Sequence, residues 1–219
     1  MKTQPNHKHQ EDQKNSRIVN LPLDGEQENE VWKKFLDGDD SALSWIYRSY
    51  IEKLYNYGCQ FAAREVVLDT IQDLFFDLIR SRKKLSTTNS VKAYLFSSLR
   101  RKLLTGKGER NKEVAINQLE EQKKFAISVY PDQNSPLGTE DDEIQLLQKA
   151  CNDLPDRQRE IILLYYFEEM SYQDIMEVMQ ISKINSARIL VHRALESLRK
   201  LLAGMRSSFL LLLLLFFSN

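Results

Sequence analysis

Residues 69–79 read Asp69-Thr70-Ile71-Gln72-Asp73-Leu74-Phe75-Phe76-Asp77-Leu78-Ile79, and their spacing decides the fold class. Ile71, Leu74, Phe75, Leu78 and Ile79 recur at i, i+3, i+4, i+7 and i+8, a single apolar stripe along an α-helix. Asp69, Gln72, Asp73 and Asp77 fall on the opposite face, and Phe76 lies among them. A helix with one apolar stripe needs a partner to bury it, so a helical block is expected around it, from about residue 26 to about residue 104.

Beyond this helix the sequence changes character. Residues 81–90 (SRKKLSTTNS) read as a basic, hydroxyl-rich loop. A further helix follows, with Val91, Leu95 and Leu99 on one side and Tyr94, Phe96, Arg100, Arg101 and Lys102 over much of the remainder. Gly106 and Gly108 are expected to interrupt it. Residues 106–140 mix charge with Pro131, Pro136 and Gly138 and read as a linker, with one short helix near Lys112–Phe125.

A second helical block is expected over 141–203. Leu154-Pro155 opens one helix, since proline costs little in a first turn. Ile161, Ile162, Leu164 and Tyr165 give that helix its apolar side. Ser171 followed by Asp174 is a capping-box pattern, starting a helix that buries Ile175, Val178 and Met179. After a turn at Gln180–Lys183, a longer helix directs Ala187, Leu190, Val191, Ala194, Leu195 and Leu198 inward. Asn185, Arg188, His192, Arg193 and Arg199 point outward. A short helix, a turn and a basic second helix make a helix-turn-helix.

Composition agrees with helices. Seven Gly and five Pro in 219 residues are few for a strand-rich protein, which needs frequent turns. The formal net charge of zero conceals alternation. Residues 24–77 hold 12 acidic and 5 basic side chains, residues 80–112 hold 1 and 11, residues 139–177 hold 11 and 3, and residues 183–200 hold 1 and 5. Two separated basic segments suit a polyanion met in two places; solvated surface charge is the plainer alternative for either one alone.

Cys59 and Cys151 are far apart, sit among apolar residues and read as buried thiols rather than ligands or a disulfide. There is no metal-ligand spacing, phosphate loop or nucleophile motif, so neither cofactor, metal nor small-molecule substrate is expected, and catalysis is not. Residues 1–25 are polar and read as a disordered tail without a signal peptide's apolar core. At the other end, residues 209–217 read FLLLLLLFF, too short at about 14 Å of helix for a stable membrane span. Docking on a partner, contact with a membrane surface and absence of any role all remain open for this tail, residues 204–219.

Two motifs together are similar to the sigma-70 family, and within it to the small extracytoplasmic-function group. One is Asp69-x-x-Gln72-x-x-Phe75-x-x-Leu78; the other is Leu154-Pro155-x-x-x-Arg159-Glu160 followed by Phe167-Glu168-x-x-Ser171-Tyr172-x-x-Ile175. The resemblance covers about residues 27–104 and 142–202. It departs from the family pattern at the turn, where Lys183 is an extra residue, and at Leu190, which stands where a polar residue is frequent.

The resemblance implies two all-α domains, residues 26–105 (region 2-like) and 141–203 (region 4-like), in a cytoplasmic protein. It implies as partners core RNA polymerase, promoter DNA and an anti-sigma factor. Asp69, Gln72, Asp73, Phe76 and Asp77 resemble the surface that grips core polymerase, and a carboxylate row suits arginines through charge-assisted bonds. Arg82, Lys83, Lys84, Ser86, Thr87, Asn89, Lys92, Tyr94, Phe96, Arg100 and Arg101 then serve the −10 element, where opened DNA needs cations for its phosphates and a stacking surface for an unpaired base. For Tyr94 and Phe96 a place in the core is the alternative. Lys183, Asn185, Ser186, Arg188, His192, Arg193 and Arg199 serve the −35 element, the first four as base readers. A helix-turn-helix regulator that does not bind polymerase is the competing reading; it leaves the acidic face of 69–77 without a role.

Overall fold

The computed structural model describes the backbone of residues 25–110 and 140–203, and the side chains of 25–105 and 146–203. The described part of the protein is helical, in two units. The first holds α1 (Gly25–Leu36), α2 (Asp40–Gly58), α3 (Arg64–Ser81), a 3₁₀ turn (Arg82–Lys84) and α4 (Val91–Arg110). The second holds α5 (Glu140–Asn152), α6 (Asp156–Ile162) with a π turn at Leu163–Phe167, α7 (Tyr172–Met179) and α8 (Ile184–Leu202).

In the first unit, α1, α2 and α3 pack around α4. Ile71, Leu74, Phe75 and Leu78 of α3 are buried as their spacing requires. Ile79 is not: it is 45% exposed. At 100° per residue the stripe has rotated to the edge of the interface by its ninth position. Gly58 lets α2 and α3 approach closely, since a Cβ there would sit 2.6 Å from a Val67 methyl. Asp39 caps α2 by accepting from the backbone of Ser41 at 2.7 Å.

Gly106 and Gly108 do not interrupt α4, which continues to Arg110. A glycine costs about 1 kcal/mol inside a helix, which does not by itself stop one. The acidic run Glu140–Glu143 opens α5 rather than closing a linker. The helix expected near Lys112–Phe125, the N-terminal tail over residues 1–24 and the Leu-rich segment lie outside the described residues.

In the second unit, the Ser171–Asp174 capping box forms as its spacing predicts, with Ser171 Oγ accepting from the Asp174 backbone at 3.1 Å. Gln180 ends α7 with φ of 53°, and the turn runs to Lys183, the N-cap of α8. Cys151 is buried, and burial pushes its thiol up to about 12; Cys59 is half-buried. Among the described residues no helix is long and apolar enough to cross a membrane.

Candidate functional site

Three surfaces carry the residues singled out by sequence. On α3, Asp69, Gln72 and Asp73 are exposed beside Phe76, whose ring is 67% exposed. Leu68 and Ile79, also exposed, extend the apolar strip, and neither was legible as part of a surface. This acid-flanked strip leaves apolar area open to solvent. Asp77 behaves differently: it is ion-paired to Lys102 and to Arg80, and the Lys102 bond holds its carboxyl below the usual carboxylate range.

The loop after α3 is built rather than loose. Trp32 Nε1 donates to the Ser86 carbonyl at 3.1 Å, a support that sequence reasoning missed. Ser90 Oγ accepts from the Ala93 backbone at 3.1 Å and so caps α4. Ser86, Thr87 and Asn89 remain exposed, with Lys83, Lys84 and Arg101. Arg82 bonds Asp40 at 3.1 Å and lies over the Phe35 ring, tying the loop to α1 and α2. Phe96 corrects the sequence reading outright. It is fully buried against Tyr57, with ring centroids 4.9 Å apart, and has no face to offer a base. Tyr94 is half-buried against Trp32 at 5.3 Å.

On α8, Ala187, Val191, Ala194 and Leu198 are buried, while Asn185, Ser186, Arg188, His192, Arg193 and Arg199 are exposed with Lys183. The Arg188 guanidinium lies 5.5 Å from the Tyr172 ring, in cation–π range. Burial pushes the Tyr172 phenol up to about 12, so it is neutral beneath that cation. Ile189, 52% exposed among these polar groups, is an apolar contact not anticipated. The start of α8 has no capping side chain, so its first amide N–H groups face outward without a side-chain acceptor.

Residues 144–198 match the model of the family "Sigma-70, region 4". The match lies within the second helical unit. The fold extends the likeness beyond region 4. The solved structure of CnrH in complex with the cytosolic domain of CnrY matches with a TM-score of 0.56 at 16% identity, over 82% of this chain and 99% of that one. The sigma factor RpoE from Bartonella quintana, in complex with the anti-sigma factor NepR, matches with a TM-score of 0.53 at 22% identity, over 73% of this chain and 96% of that one. No curated protein matches the sequence.

The second unit packs against the first chiefly through α7 on α4. Glu160, 3% exposed, sits at this junction. It accepts from Tyr57 Oη at 2.7 Å and from Arg100 Nε at 2.7 Å. Lys92 Nζ donates to the Glu168 carbonyl at 2.8 Å. Two members of the expected −10 set, Lys92 and Arg100, are thus engaged by the second unit itself. The sequence held one signal for this: Glu160 shares a helical face with Leu164, four residues on and fully buried, so a carboxylate there needs a partner.

Proposed function

We propose that this protein is a sigma factor of the extracytoplasmic-function type, which docks on core RNA polymerase, opens the promoter −10 element and reads the −35 element. The observation that carries the proposal is the joining of a region 4 helix-turn-helix to a helical unit whose α3 shows solvent an acidic, aromatic face. A DNA-binding regulator working alone has no use for that face.

The physical roles follow. Asp69, Gln72, Asp73 and Phe76 grip the polymerase, carboxylates and amide bonding its arginines around the Phe76 anchor. Asp77, already held by Lys102 and Arg80, positions these two cations instead. Lys83, Lys84 and Arg101 hold phosphates of the opened strand, and the loop Leu85–Ser90, braced by Trp32, receives an unpaired base. Base extrusion costs a few kcal/mol, which stacking and backbone contacts offset. On α8, Lys183, Asn185, Ser186 and Arg188 meet base edges in the major groove, while His192, Arg193 and Arg199 lie toward phosphates. The protein makes and breaks no bond itself, acts in the cytoplasm, and takes an anti-sigma protein as a further partner, as the matched sigma factor RpoE takes NepR.

The test is transcription in vitro with purified core polymerase on fragmented genomic DNA. Start sites that depend on the protein and share two spaced elements are the expected result. Binding of duplex DNA without any association with core polymerase refutes the proposal and favours the stand-alone regulator.

A further inference from the structure

α8 turns one apolar side chain straight outward. Ile189 is 52% exposed and stands two residues from Ala187 and two from Val191, both buried. Two residues along an α-helix are about 200° of rotation, so Ile189 points away from the core. Asn185 lies one turn before it on the same outer line and Arg193 one turn after it, both exposed. Ile189 is therefore in the middle of the row that the proposed −35 reading gives to DNA. We infer that Ile189 reads the C5-methyl group of a thymine, and that it is the residue that makes thymine the preferred base at one position of this protein's −35 element. The inference rests on the −35 role proposed above for α8 and adds to it a base and an atom.

Single exposed aliphatic side chains are ordinary on protein surfaces. This one has company. Ile181 in the turn and Leu190 on α8, both half-buried, line a depression of about 380 Å³ beside it, with Ser186, Arg157 and Arg193 around them. The apolar area is thus ringed by a hydroxyl and two exposed guanidinium groups. That arrangement suits a duplex, with cations for the phosphates at the rim and contact with base edges inside it. The chemistry of the major groove then selects the base. Adenine, guanine and cytosine present only hydrogen-bonding groups at that edge, whereas thymine adds a methyl group. An isoleucine pressed on a polar edge excludes water and returns no hydrogen bond, which costs free energy. Pressed on a methyl group, it removes apolar surface of both partners from water. Ile189 therefore favours thymine and acts against the other three bases at once. Asn185, one turn earlier, is suited to adenine, so the two side chains together select A·T pairs at neighbouring positions.

The experiment uses the full-length protein with core polymerase. Start sites mapped on fragmented genomic DNA supply a promoter duplex, which is remade with deoxyuridine for each thymine of its upstream element in turn. Deoxyuridine keeps the hydrogen-bonding groups of thymidine and lacks the methyl. One such replacement should weaken binding of the complex about fourfold, the effect of one buried methyl group. Ile189→Ala should keep the melting temperature, because the side chain is exposed, and should bind the thymine and uracil duplexes alike. Ile189→Leu, apolar and of equal size, should keep the discrimination. Cytosine at that position should bind more weakly than thymine; 5-methylcytosine should recover part of the loss in wild type and none of it in Ile189→Ala. An upstream element with no shared thymine, uracil replacements that are all neutral, or a uracil penalty that survives Ile189→Ala each overturn the inference and leave the proposed function standing. Equal weakening of the Ile189→Ala complex on every duplex also overturns it and makes the patch a protein contact. Absence of any start site that depends on the protein defeats the proposed function, and the inference with it.

Discussion

On α8, Arg188, Arg193 and Arg199 enter no ion pair among the described residues, whereas on α4 Lys92, Arg100 and Lys102 each end on an oxygen of the protein. The two helices are similarly basic in sequence. They differ in what packs around them. α8 is the outer helix of its unit and keeps one face in water. α4 lies among α1, α2 and α3 and under α7, so almost every direction it points is occupied. Cationic character therefore marks a surface as suited to DNA, while the surrounding helices decide whether it is available.

The comparison can be broken most decisively on the third surface. Asp69→Arg with Asp73→Arg should abolish binding to core polymerase in a pull-down, with melting temperature and single-strand binding unchanged, because both carboxylates are exposed and enter no ion pair among the described residues. Polymerase binding by the folded double variant would show that α3 is merely a solvated face. Next, Phe96→Ala should cost about 3–5 kcal/mol in chemical denaturation, as for other large core truncations. A Phe96 variant that loses strand binding at full stability would return that ring to the DNA. Arg188→Ala should weaken duplex binding by about 1–3 kcal/mol and relax preference at one base position. Equal loss on every sequence would make it a phosphate contact and draw α8 closer in kind to α4.

The smallest effect lies at the junction. Burial raises the Glu168 carboxyl above its ordinary value; Lys53 and Lys92 pull it down and Glu169 raises it further, leaving a net upward shift. A raised carboxyl favours the neutral form in the folded state. Its contribution is therefore complete below the ordinary carboxylate range and is lost as pH rises through the raised value. Glu168→Gln should melt about 1–3 °C higher than wild type near pH 7, with the difference shrinking toward pH 5. A constant difference across that range would mean that the carboxyl titrates normally.

The helices were legible because their stripes are local: Ile71 to Leu78 on α3, and Ala187 to Leu198 on α8, repeat at the helical period and are buried as the period demands. The Ser171–Asp174 cap and the turn ending at Lys183 were equally local. What a side chain meets across the fold was not. Phe96, Lys92 and Arg100 lie on a helix with very little amphipathic contrast, since it packs on several sides, and no spacing rule separates its core positions from its surface. Trp32 braces a loop 54 residues away, and Tyr57 reaches Glu160 across 103 residues. Ile79 shows the complementary failure: an apolar residue at a stripe's margin is read as core until the neighbouring helix is seen to fall short of it.

The start of α8 has one more consequence. A capping residue such as aspartate in place of Lys183 would satisfy the first amides and stabilise the helix by about 1 kcal/mol. It would also set a negative charge where a phosphate oxygen is the natural acceptor for those same amides. The helix that is best finished on its own is thus the one least able to hold a duplex, and this protein has kept its opening turn incomplete.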